Sequence, residues 1–589
     1  MLEETLWWWM IAVILVLIRD LNVIEFAMIW LGWRYRERIF TAPLFLKVSG
    51  MASRVWRWLS VRPVLACVLI GCAPIVVRVA LLPIFPVPEP IIPDEFSHLL
   101  LADTFLHGRL TNPMHPLWIH FESIHIIQRP TYNSMYFPAQ AVALLAGALA
   151  GHVWLGVLLV TGLMCGFIVW ALQPFMPNRW AILAGVIAAV RFGVVGYWVN
   201  SYWGGSLAAL GGAIVLGCYG RIRRKPSFPL GILLGIGLGI IGIVRPLEGL
   251  TFAAPFAFAL CRQLWVSHGH RISFTARTAV PAVVVLAILF TGLGVFFKAV
   301  TGNPFTPGYA VNQKEYGWPL VLPWQKAVEP AFRHKEMKVY YDWEKDSLKR
   351  KDSVVATVAY GPSRFSMGWT FFFGPVLSIG LFHLRSVVAN RRMRAIVVSG
   401  LACCAVVFWE AGYPHYLAPA TVCLLAIAVE GLRYARVSRR GTFPGRLTIP
   451  LAMTILSILV GAHVIAARLK IPYAGESETY LSWCCASNAG QERKTVENAI
   501  AAQPGSHVIL VGYHHAAWES REWVYNGADI DGSRVIWARD MGPERNQELI
   551  RYYPGRRFWI VDADDKPAVA RTYKFAPAAG STVADSGGR

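Results

Sequence analysis

Long apolar stretches separated by polar segments dominate the chain, and their length predicts membrane-spanning helices. A helix needs about 20 mostly apolar residues to cross the hydrocarbon core of a bilayer. Eight stretches fit this pattern best: 61–85, 228–244, 247–261, 278–297, 366–382, 395–409, 416–429 and 447–467. Residues 6–31 are a further candidate, and residues 138–219 hold several. We predict an all-α polytopic membrane protein with about 11–14 spans.

Basic residues cluster in short loops between these stretches and predict the orientation of the chain. The loops are RYRER (34–38), RIRRK (221–225), RRMR (391–394) and RVSRR (436–440). The positive-inside rule places such loops in the cytoplasm. Segments 86–137, 298–365 and 410–416, and everything after 468, then face the opposite side. Between residue 137 and RIRRK this topology needs an odd number of crossings, whereas hydropathy suggests four. One segment is therefore re-entrant, or a boundary is misread.

The chain changes character after residue 468, where strand patterns alternate with helical ones. A helical pattern near 489–503 precedes a strand at 507–513, and a second helical pattern, at 543–553, lies between strands at 534–540 and 557–564. This alternation predicts a small α/β domain with a parallel sheet. No GxGxxG or P-loop is present, so nucleotide binding is not supported. We predict three parts: an N-terminal membrane anchor with a basic cytoplasmic segment (1–60), a transmembrane domain (61–468) and a C-terminal extracytoplasmic domain (469–589).

Composition agrees with a polytopic membrane protein rather than a soluble multi-domain enzyme. Of 589 residues, 55% are hydrophobic and only 15% are charged. The net charge of +21 comes largely with the short basic loops, and no zinc spacing or basic-aromatic strand accompanies it, so nucleic-acid binding is not expected. Eight of the ten cysteines lie in apolar runs, where they act as packing residues, whereas Cys484 and Cys485 lie in a polar region. The N-terminus lacks a small-residue cleavage site and is predicted to be an anchor rather than a signal peptide.

The segment PDEFSHLLLADTF (93–105) places two acids directly after a predicted span. A proline followed by Asp94 and Glu95 is typical of a helix N-terminus, where carboxylates complement the helix dipole. His98 is four residues from Asp94 and shares a helix face with it. The acids therefore either stabilise the helix or provide a general base towards a hydroxyl or amine acceptor.

Other polar motifs fall on the same predicted side of the membrane. His115, His120 and His125 recur every five residues, a spacing that does not favour a shared metal site but leaves one open. Arg129 lies near two tyrosines and either snorkels to the interface or binds a phosphate. Ionisable groups near the membrane interior are functional candidates by default. The remaining candidates are Tyr132, Tyr136, Tyr202, Trp203, Arg245, Glu248, Glu410, His415 and Tyr416.

These motifs together resemble one family. PDEFSHLLLADTFLHGRLTNP, QRPTYNSMYFPAQ, SYWGG, RPLEG and GYPHY resemble the bacterial branch of glycosyltransferase family 39, which includes the protein O-mannosyltransferases and is similar to the aminoarabinose transferases of lipid A. EWVYNGADIDGSRVIWARDMG (522–542) resembles the extramembrane domain of many such proteins. The resemblance runs from about residue 61 to the end and leaves out residues 1–60.

The resemblance implies a GT-C fold in the bacterial cytoplasmic membrane, with the active site and the C-terminal domain on the outer face. The donor would be a polyprenyl-phosphate sugar, and the acceptor a protein, lipid or glycan. Asp94 would deprotonate or orient the acceptor, with Glu95 as the second acid, and the sugar would transfer with inversion. Arg129 and Arg245 would bind the departing phosphate. No metal is required, although an acidic pair can bind a divalent cation. The implied substrate contacts are His98, Tyr132, Tyr136, Tyr202, Trp203, His415 and Tyr416.

One departure and three rival readings accompany the resemblance. Relatives often carry a lysine where this chain has Met135, before the aromatic-proline step. A lipid-linked oligosaccharide ligase or polymerase is one rival, since such enzymes would depend on cations in a late external loop, here Arg333 and His334. A transporter is the second rival, although no paired broken-helix repeats are evident. A non-catalytic scaffold that recruits partners is the third.

Overall fold

A computed structural model describes residues 20–266, 271–318, 329–349, 354–409, 413–437, 445–471, 490–513 and 522–574. The beginning of the predicted anchor, Glu410 and the cysteine pair Cys484 and Cys485 lie outside these residues. The described chain forms a helical bundle followed by a small α/β domain, as the sequence predicts.

The bundle consists of helices that follow the apolar stretches of the sequence. In chain order, the α-helices of the bundle and of its two long loops begin with Asp20–Arg34, Arg36–Thr41, Pro43–Ser60, Pro63–Ala80, Pro93–Leu106, Ala139–Leu149, Val153–Leu172, Asn178–Phe192, Ser206–Ile222, Phe228–Val244, Pro246–Val266, Arg271–Phe274, Val280–Thr301 and Gly308–Tyr316. The later ones are Lys335–Lys349, Val354–Phe372, Gly374–Leu381, Leu384–Ala389, Arg394–Trp409, Thr421–Val437 and Thr448–Arg468.

The helices confirm a multi-pass membrane protein. Six in the described chain are long and apolar enough to cross a bilayer: Pro63–Ala80, Val153–Leu172, Pro246–Val266, Thr275–Thr301, Pro414–Val437 and Thr448–Arg468. Four shorter apolar helices accompany them: Ala139–Leu149, Ser206–Ile222, Phe228–Val244 and Arg394–Val407. The predicted stretch 366–382 is divided between two helices that meet at Gly374, where φ is +54°.

Helix Ala139–Leu149 is a candidate for the re-entrant segment that the predicted topology allows between residue 137 and the basic loop 221–225. At 11 residues it is about 16 Å long, too short to span a bilayer. It folds back along the first half of Val153–Leu172, because the α-carbon of Gly147 carries no side chain and comes close to the backbone of Gly156. Three helices then connect the two ends of the bundle: Val153–Leu172, Asn178–Phe192 and Ser206–Ile222. Of the four helices in this segment, Ala139–Leu149 is the one that does not run from one end of the bundle to the other.

Buried polar contacts fix the two ends of these helices. At one end Trp154 donates to the backbone oxygen of Val199 (2.8 Å). At the other, Arg221 donates to Gln173 (3.2 Å), beside the basic loop 221–225. The buried Arg78 holds the start of the first loop, since its guanidinium donates to the backbone oxygens of Phe85 and Pro86, each at 2.8 Å. The first loop therefore leaves the bundle in a defined direction.

Two long loops fold over the end of the bundle at which Trp154 contacts Val199, which we call the Trp154 end. The first contains helix Pro93–Leu106, a 3₁₀ turn at Trp118–Phe121 and the short antiparallel strands β1 (Ile126–Ile127) and β2 (Asn133–Ser134). The second contains Gly308–Tyr316 and helix Lys335–Lys349, close to the surface helix predicted at 333–351. We name Pro93–Leu106 the first-loop helix and Lys335–Lys349 the late-loop helix.

The C-terminal domain is the predicted α/β unit. Strands β3 (His507–Gly512), β4 (Val535–Arg539), β5 (Arg557–Asp562) and β6 (Arg571–Thr572) form one sheet in the order β4-β3-β5-β6. The first three are parallel, as predicted, and β6 adds an antiparallel edge that the sequence pattern does not reveal. The predicted helices are present at Gln491–Ala501 and Pro543–Tyr552.

The C-terminal domain packs directly on the first loop. The ring of Tyr525 stacks on that of Phe96 with centroids 4.0 Å apart. Tyr132 donates to the backbone oxygen of Asn526 (2.9 Å), and the backbone N–H of Ala528 donates to Asp103 (2.7 Å). Apolar residues of both parts form one buried cluster, so the domain supports the first loop from its outer side.

The described end of the predicted N-terminal anchor also packs on the bundle. In helix Asp20–Arg34, buried Asn22 donates to Thr370 (3.2 Å), and buried Glu25 accepts from the backbone N–H of Val376 (3.0 Å). These contacts tie the segment before residue 61 to the late helices of the bundle.

Candidate active site

A cavity of about 350 Å³ lies where both long loops meet the Trp154 end of the bundle. Side chains from widely separated parts of the chain line it. The predicted site residues that it brings together are Asp94, His98, Tyr136, Trp203, Arg245, His415 and Tyr416. Acidic and imidazole groups from the two loops and a cation from the bundle therefore face the same space.

Asp94 lies at the start of the first-loop helix, just after Pro93, as the sequence predicts for a helix N-terminus. Its carboxylate is partly exposed to the cavity, with 22% of the side-chain surface accessible. Oδ1 accepts a hydrogen bond from the Tyr136 hydroxyl and lies 2.9 Å from Nδ1 of His125. These two contacts fix the carboxylate while leaving part of it open to a bound molecule.

His125 connects Asp94 to the late-loop helix. Its Nε2 lies 3.4 Å from the Tyr340 hydroxyl and 3.7 Å from Oε1 of Glu344. Burial lowers the pKa of His125, but the Asp94 and Glu344 carboxylates outweigh that effect and raise the pKa to about 9. The imidazole is therefore a cation at neutral pH, held between two carboxylates.

Glu95 points away from the cavity and supports the backbone instead. Its Oε2 accepts from the backbone N–H groups of Ile91 (2.8 Å) and Ile92 (3.2 Å), and Oε1 accepts from Tyr202 (2.9 Å). Burial raises the pKa of Glu95 to about 7, although the three N–H donors act in the opposite direction. This position gives Glu95 a structural part rather than the predicted catalytic one, because adjacent residues of a helix project about 100° apart.

Arg245 provides a positive charge on the bundle side of the cavity. It lies at the break between helices Phe228–Val244 and Pro246–Val266, with extended backbone angles (φ −144°, ψ 77°). Proline at 246 disfavours helical backbone at the residue before it, which explains the break. The guanidinium lies 4.3 Å from the centroid of the Tyr416 ring. A cation held there can accept an anionic group in the cavity.

Aromatic side chains form the wall beside Arg245. The His415 ring lies 4.1 Å from that of Trp203 and 4.7 Å from that of Tyr416. On the first-loop helix, half-buried His98 packs on Tyr136 with ring centroids 4.6 Å apart, and its Nδ1 has no hydrogen-bond partner within the described chain. Burial lowers the pKa of His98 to about 4, so the ring is neutral at pH 7 and able to bind a hydroxyl.

Besides Glu95, three other predicted site residues lie outside the cavity. Arg129 pairs with Glu315 (2.9 Å) and stacks on Trp118, which does not support its predicted role as a phosphate ligand. Tyr132 is buried against the C-terminal domain, as described above. Tyr202 donates to the backbone oxygen of Pro88 (2.9 Å) and therefore holds the loop rather than contacting a substrate.

The cations named for the ligase alternative are also paired elsewhere. Arg333 contacts Glu122 (2.9 Å) and Glu315 (2.7 Å). His334 lies 3.2 Å from Glu122 and 3.0 Å from the backbone oxygen of Ile119. Neither side chain lines the cavity, so its geometry does not favour that alternative.

The sequence analysis missed the late-loop helix as part of the site. Glu344 and Tyr340 are separated from Asp94 by some 250 positions, and no local motif marks them. The pattern YYDWEK, with aromatic and acidic residues mixed on one surface helix, is the signal that could have drawn attention to them. Burial raises the pKa of Glu344, while the interaction with His125 lowers it.

The described residues hold no group of three or more His, Cys, Asp or Glu side chains arranged to bind a metal ion. The three histidines of the first loop have separate acidic neighbours. His115 lies 3.1 Å from Asp531, and His120 lies 3.5 Å from Glu548. His125 contacts Asp94, as above, so the three do not form one site.

No family model matches this chain, and no curated protein matches it. Among solved structures, it is similar to the archaeal oligosaccharyltransferase AglB from Archaeoglobus fulgidus in complex with an inhibitory peptide and a dolichol-phosphate, with 11% identity, a TM-score of 0.43, and coverage of 86% of this chain and 69% of that one. It is also similar to ArnT from Cupriavidus metallidurans bound to undecaprenyl phosphate, with 14% identity, a TM-score of 0.46, and coverage of 84% and 92%. Both are GT-C glycosyltransferases, the class that the sequence resemblance names. At these identities and TM-scores the likeness assigns neither activity nor substrate to this chain.

Proposed function

We propose that this protein is a membrane glycosyltransferase that moves a sugar from a polyprenyl-phosphate donor to an acceptor hydroxyl or amine. The observation that carries the proposal is the cavity, in which the Asp94 carboxylate and the Arg245 guanidinium face one space between the loops and the bundle. The family resemblance of the motifs that supply both residues supports it further. The active site faces the outer side of the cytoplasmic membrane under the predicted topology.

In the proposed reaction, Asp94 accepts the proton of the acceptor group as its lone pair attacks the anomeric carbon of the sugar. The bond between that carbon and the phosphate oxygen breaks, and its electron pair leaves with polyprenyl phosphate. Arg245 stabilises the negative charge that develops on the phosphate. A single displacement of this kind inverts the anomeric configuration, and the proton then passes from Asp94 to water.

The protein groups around Asp94 contribute by positioning. Tyr136 and His125 both bond to Oδ1 of the Asp94 carboxylate, so neither of them occupies Oδ2. A positioned base contributes about 10²–10⁴-fold to a rate. His98, neutral and lining the cavity, is placed to bind a sugar hydroxyl.

Sugar transfer in membranes tests the proposal, with radiolabelled polyprenyl-phosphate hexose as the donor probe. Asp94→Asn should lower transfer at least about 100-fold at matched expression, since it removes the base without changing the shape of the side chain. Asp342→Asn is the matched control, because Asp342 lies on the late-loop helix, pairs with Lys338 and does not line the cavity. Undiminished transfer by Asp94→Asn would remove Asp94 from the mechanism. No transfer by the wild type would favour the ligase and transporter alternatives.

A further inference from the structure

A second cavity, of about 1150 Å³, opens at the end of the bundle away from Asp94. It lies between helices Pro246–Val266 and Arg394–Trp409, near the turn after Val153–Leu172. Six arginines line it, and we name it the arginine groove after them: Arg223, Arg224, Arg262, Arg391, Arg392 and Arg394. The proposed transfer reaction uses none of these residues.

The contacts between the two helices show where the groove begins. Ser399 donates to the backbone oxygen of Phe252 (2.8 Å), and Cys403 donates to that of Glu248 (3.8 Å). These contacts hold the two helices together at the end of the groove nearer Asp94, where Thr251 and Ala402 line it, and the groove continues from there to Val266 and Arg391. Pro255 lies inside the first helix at the start of the groove, where a proline removes a backbone hydrogen bond and favours a bend.

Apolar side chains form the walls of the groove below the arginines. Phe258 and Val266 are each 72% exposed, and Val398 is 53% exposed. Phe175 and Tyr219 close the inner side. The groove therefore has an apolar interior and a cationic rim, the arrangement that complements an amphiphile with an anionic head group.

The positive charge of the rim is held in place but not neutralised. Arg223 donates to the side chain of Gln263 (3.0 Å), and Gln263 donates back to the backbone oxygen of Arg223 (3.1 Å). Arg224 donates to the backbone oxygen of Pro174 (2.7 Å). Within the part of the chain that the structure describes, none of the six arginines forms a salt bridge with a carboxylate. Their guanidinium groups can therefore bind an anion.

We propose that the arginine groove binds an anionic phospholipid of the surrounding bilayer, with its phosphate at the rim and an acyl chain against Phe258 and Val398. Guanidinium groups bind phosphate oxygens in pairs, and basic pockets between membrane helices on the cytoplasmic side are suited to anionic lipid head groups. Basic loops that only orient the chain account for the charge but do not require a cavity with an apolar interior. The combination of charge and cavity is what favours a bound lipid.

Lipid retention measured by native mass spectrometry tests this proposal. The full-length protein is placed in nanodiscs of phosphatidylcholine and phosphatidylglycerol in equal amounts, released, and its bound lipids are counted. The wild type should retain phosphatidylglycerol over phosphatidylcholine by about tenfold or more, since each basic residue near the head group favours the anion. Arg391→Gln, Arg392→Gln and Arg394→Gln combined should remove that preference.

Two further variants make the test specific. The combined substitution Arg34→Gln, Arg36→Gln and Arg38→Gln removes the same charge from another basic loop and should leave the preference unchanged. Val398→Trp fills the apolar interior while keeping all six arginines, and it should lower retention of phosphatidylglycerol about tenfold. Equal losses in the two arginine variants would assign the effect to surface charge and overturn the proposal. Full retention by Val398→Trp, or no lipid preference in the wild type, would also overturn it.

Discussion

Nδ1 of His125 in the first loop lies 2.9 Å from Oδ1 of Asp94 at the start of the first-loop helix. His125 has a φ of +60°, a left-handed backbone conformation that costs a non-glycine residue roughly 1–2 kcal/mol. Its backbone is fixed in that conformation by Ser97, which donates to the oxygen of His125 (2.8 Å). The structure therefore accepts strain at this residue in order to place its imidazole beside the Asp94 carboxylate.

The charge of His125 predicts an alkaline limit to the activity. The pKa of this imidazole is raised to about 9, so the cation that holds Asp94 is present at neutral pH and is lost as pH rises through 9. Transfer by the wild type should therefore fall above about pH 9. His125→Gln keeps a hydrogen-bond donor but removes the group that titrates near pH 9. This variant should show about tenfold lower kcat/KM at pH 7.5, and its kcat/KM should not fall above pH 9. The pH profile of kcat/KM checks this. An unchanged alkaline limb in the variant would assign the limb to another group.

The raised pKa of Glu95 predicts that the protein loses stability as pH rises from about 4.5 to about 7. Its pKa is raised to about 7 in the folded protein, whereas an exposed glutamate has a pKa near 4.5. The folded state thus retains a proton that the unfolded chain releases, so the stability from this group is complete below pH 4.5 and is lost as pH rises to 7. Glu95→Gln should flatten the unfolding temperature of the detergent-solubilised protein over pH 5–8.

The same variant should also be less stable at pH 5. Glutamine offers one oxygen, whereas Glu95 uses both oxygens for the backbone donors of Ile91, Ile92 and Tyr202. An unpaired buried N–H costs about 1–3 kcal/mol. Glu544→Gln is the control, since Glu544 is exposed in the first turn of a C-terminal helix. If the unfolding temperatures of the wild type and of Glu95→Gln change with pH in the same way, the pH dependence does not come from Glu95.

Arg245 should determine the use of the phosphate-bearing donor. Arg245→Gln should lower kcat/KM for polyprenyl-phosphate hexose about 100-fold, because it removes the cation that meets the departing phosphate. Arg129→Gln should stay within about twofold of the wild type, since Arg129 pairs with Glu315 outside the cavity. Steady-state kinetics of the two variants at matched expression shows which of the two arginines serves the donor phosphate. Equal losses of kcat/KM in the two variants would indicate that Arg129 also binds the donor phosphate.

A lysine at position 135 should partly replace the positive charge that is lost in Arg245→Gln. Met135 lines the cavity, at a position where the family that the sequence resembles is expected to carry a lysine. Met135→Lys in the Arg245→Gln background should recover about tenfold of the lost kcat/KM, because a cation returns to the cavity. Met135→Leu in that background is the control of similar size without charge. Equal rates for the two double variants would place the phosphate out of reach of residue 135.

The sequence predicted much of this site because each motif carries its own local signal. The helix start at Pro93 places Asp94 at an N-terminus, and the proline after Arg245 breaks a span. Roles that depend on contacts between distant segments were not predictable. The contact between His125 and Glu344 is set by how the two loops fold over one another. The prediction that Asp94 is the base and Glu95 a second catalytic acid did not take into account that their side chains diverge on the helix. A re-entrant segment in 138–219 was one of two alternatives that the sequence left open, because hydropathy does not report whether a segment crosses, and the short helix Ala139–Leu149 is the candidate for it.

Arg539 should control whether the C-terminal domain supports the site. This fully buried side chain donates to the backbone oxygen of Glu122 (2.6 Å) in the first loop, to Glu336 (2.6 Å) in the late-loop helix and to Glu522 in its own domain. It thus joins the three segments whose packing brings Asp94 and Glu344 together. Arg539→Met should lower the free energy of unfolding by about 3–5 kcal/mol, because it leaves Glu522 buried without its cation.

Thermal unfolding and sugar transfer, measured on the same preparations, separate the two consequences of losing Arg539. Arg539→Lys keeps the charge but not the three-way geometry of the guanidinium, so it should recover part of the stability while transfer stays at least about tenfold low. Arg534→Met is the control, because Arg534 is exposed and its guanidinium donates to the backbone oxygen of Gln503 within the C-terminal domain. If Arg539→Met unfolds at the wild-type temperature and retains full transfer, the domain is not a support for the site, and the Asp94 and Glu344 loops hold their positions through their own contacts.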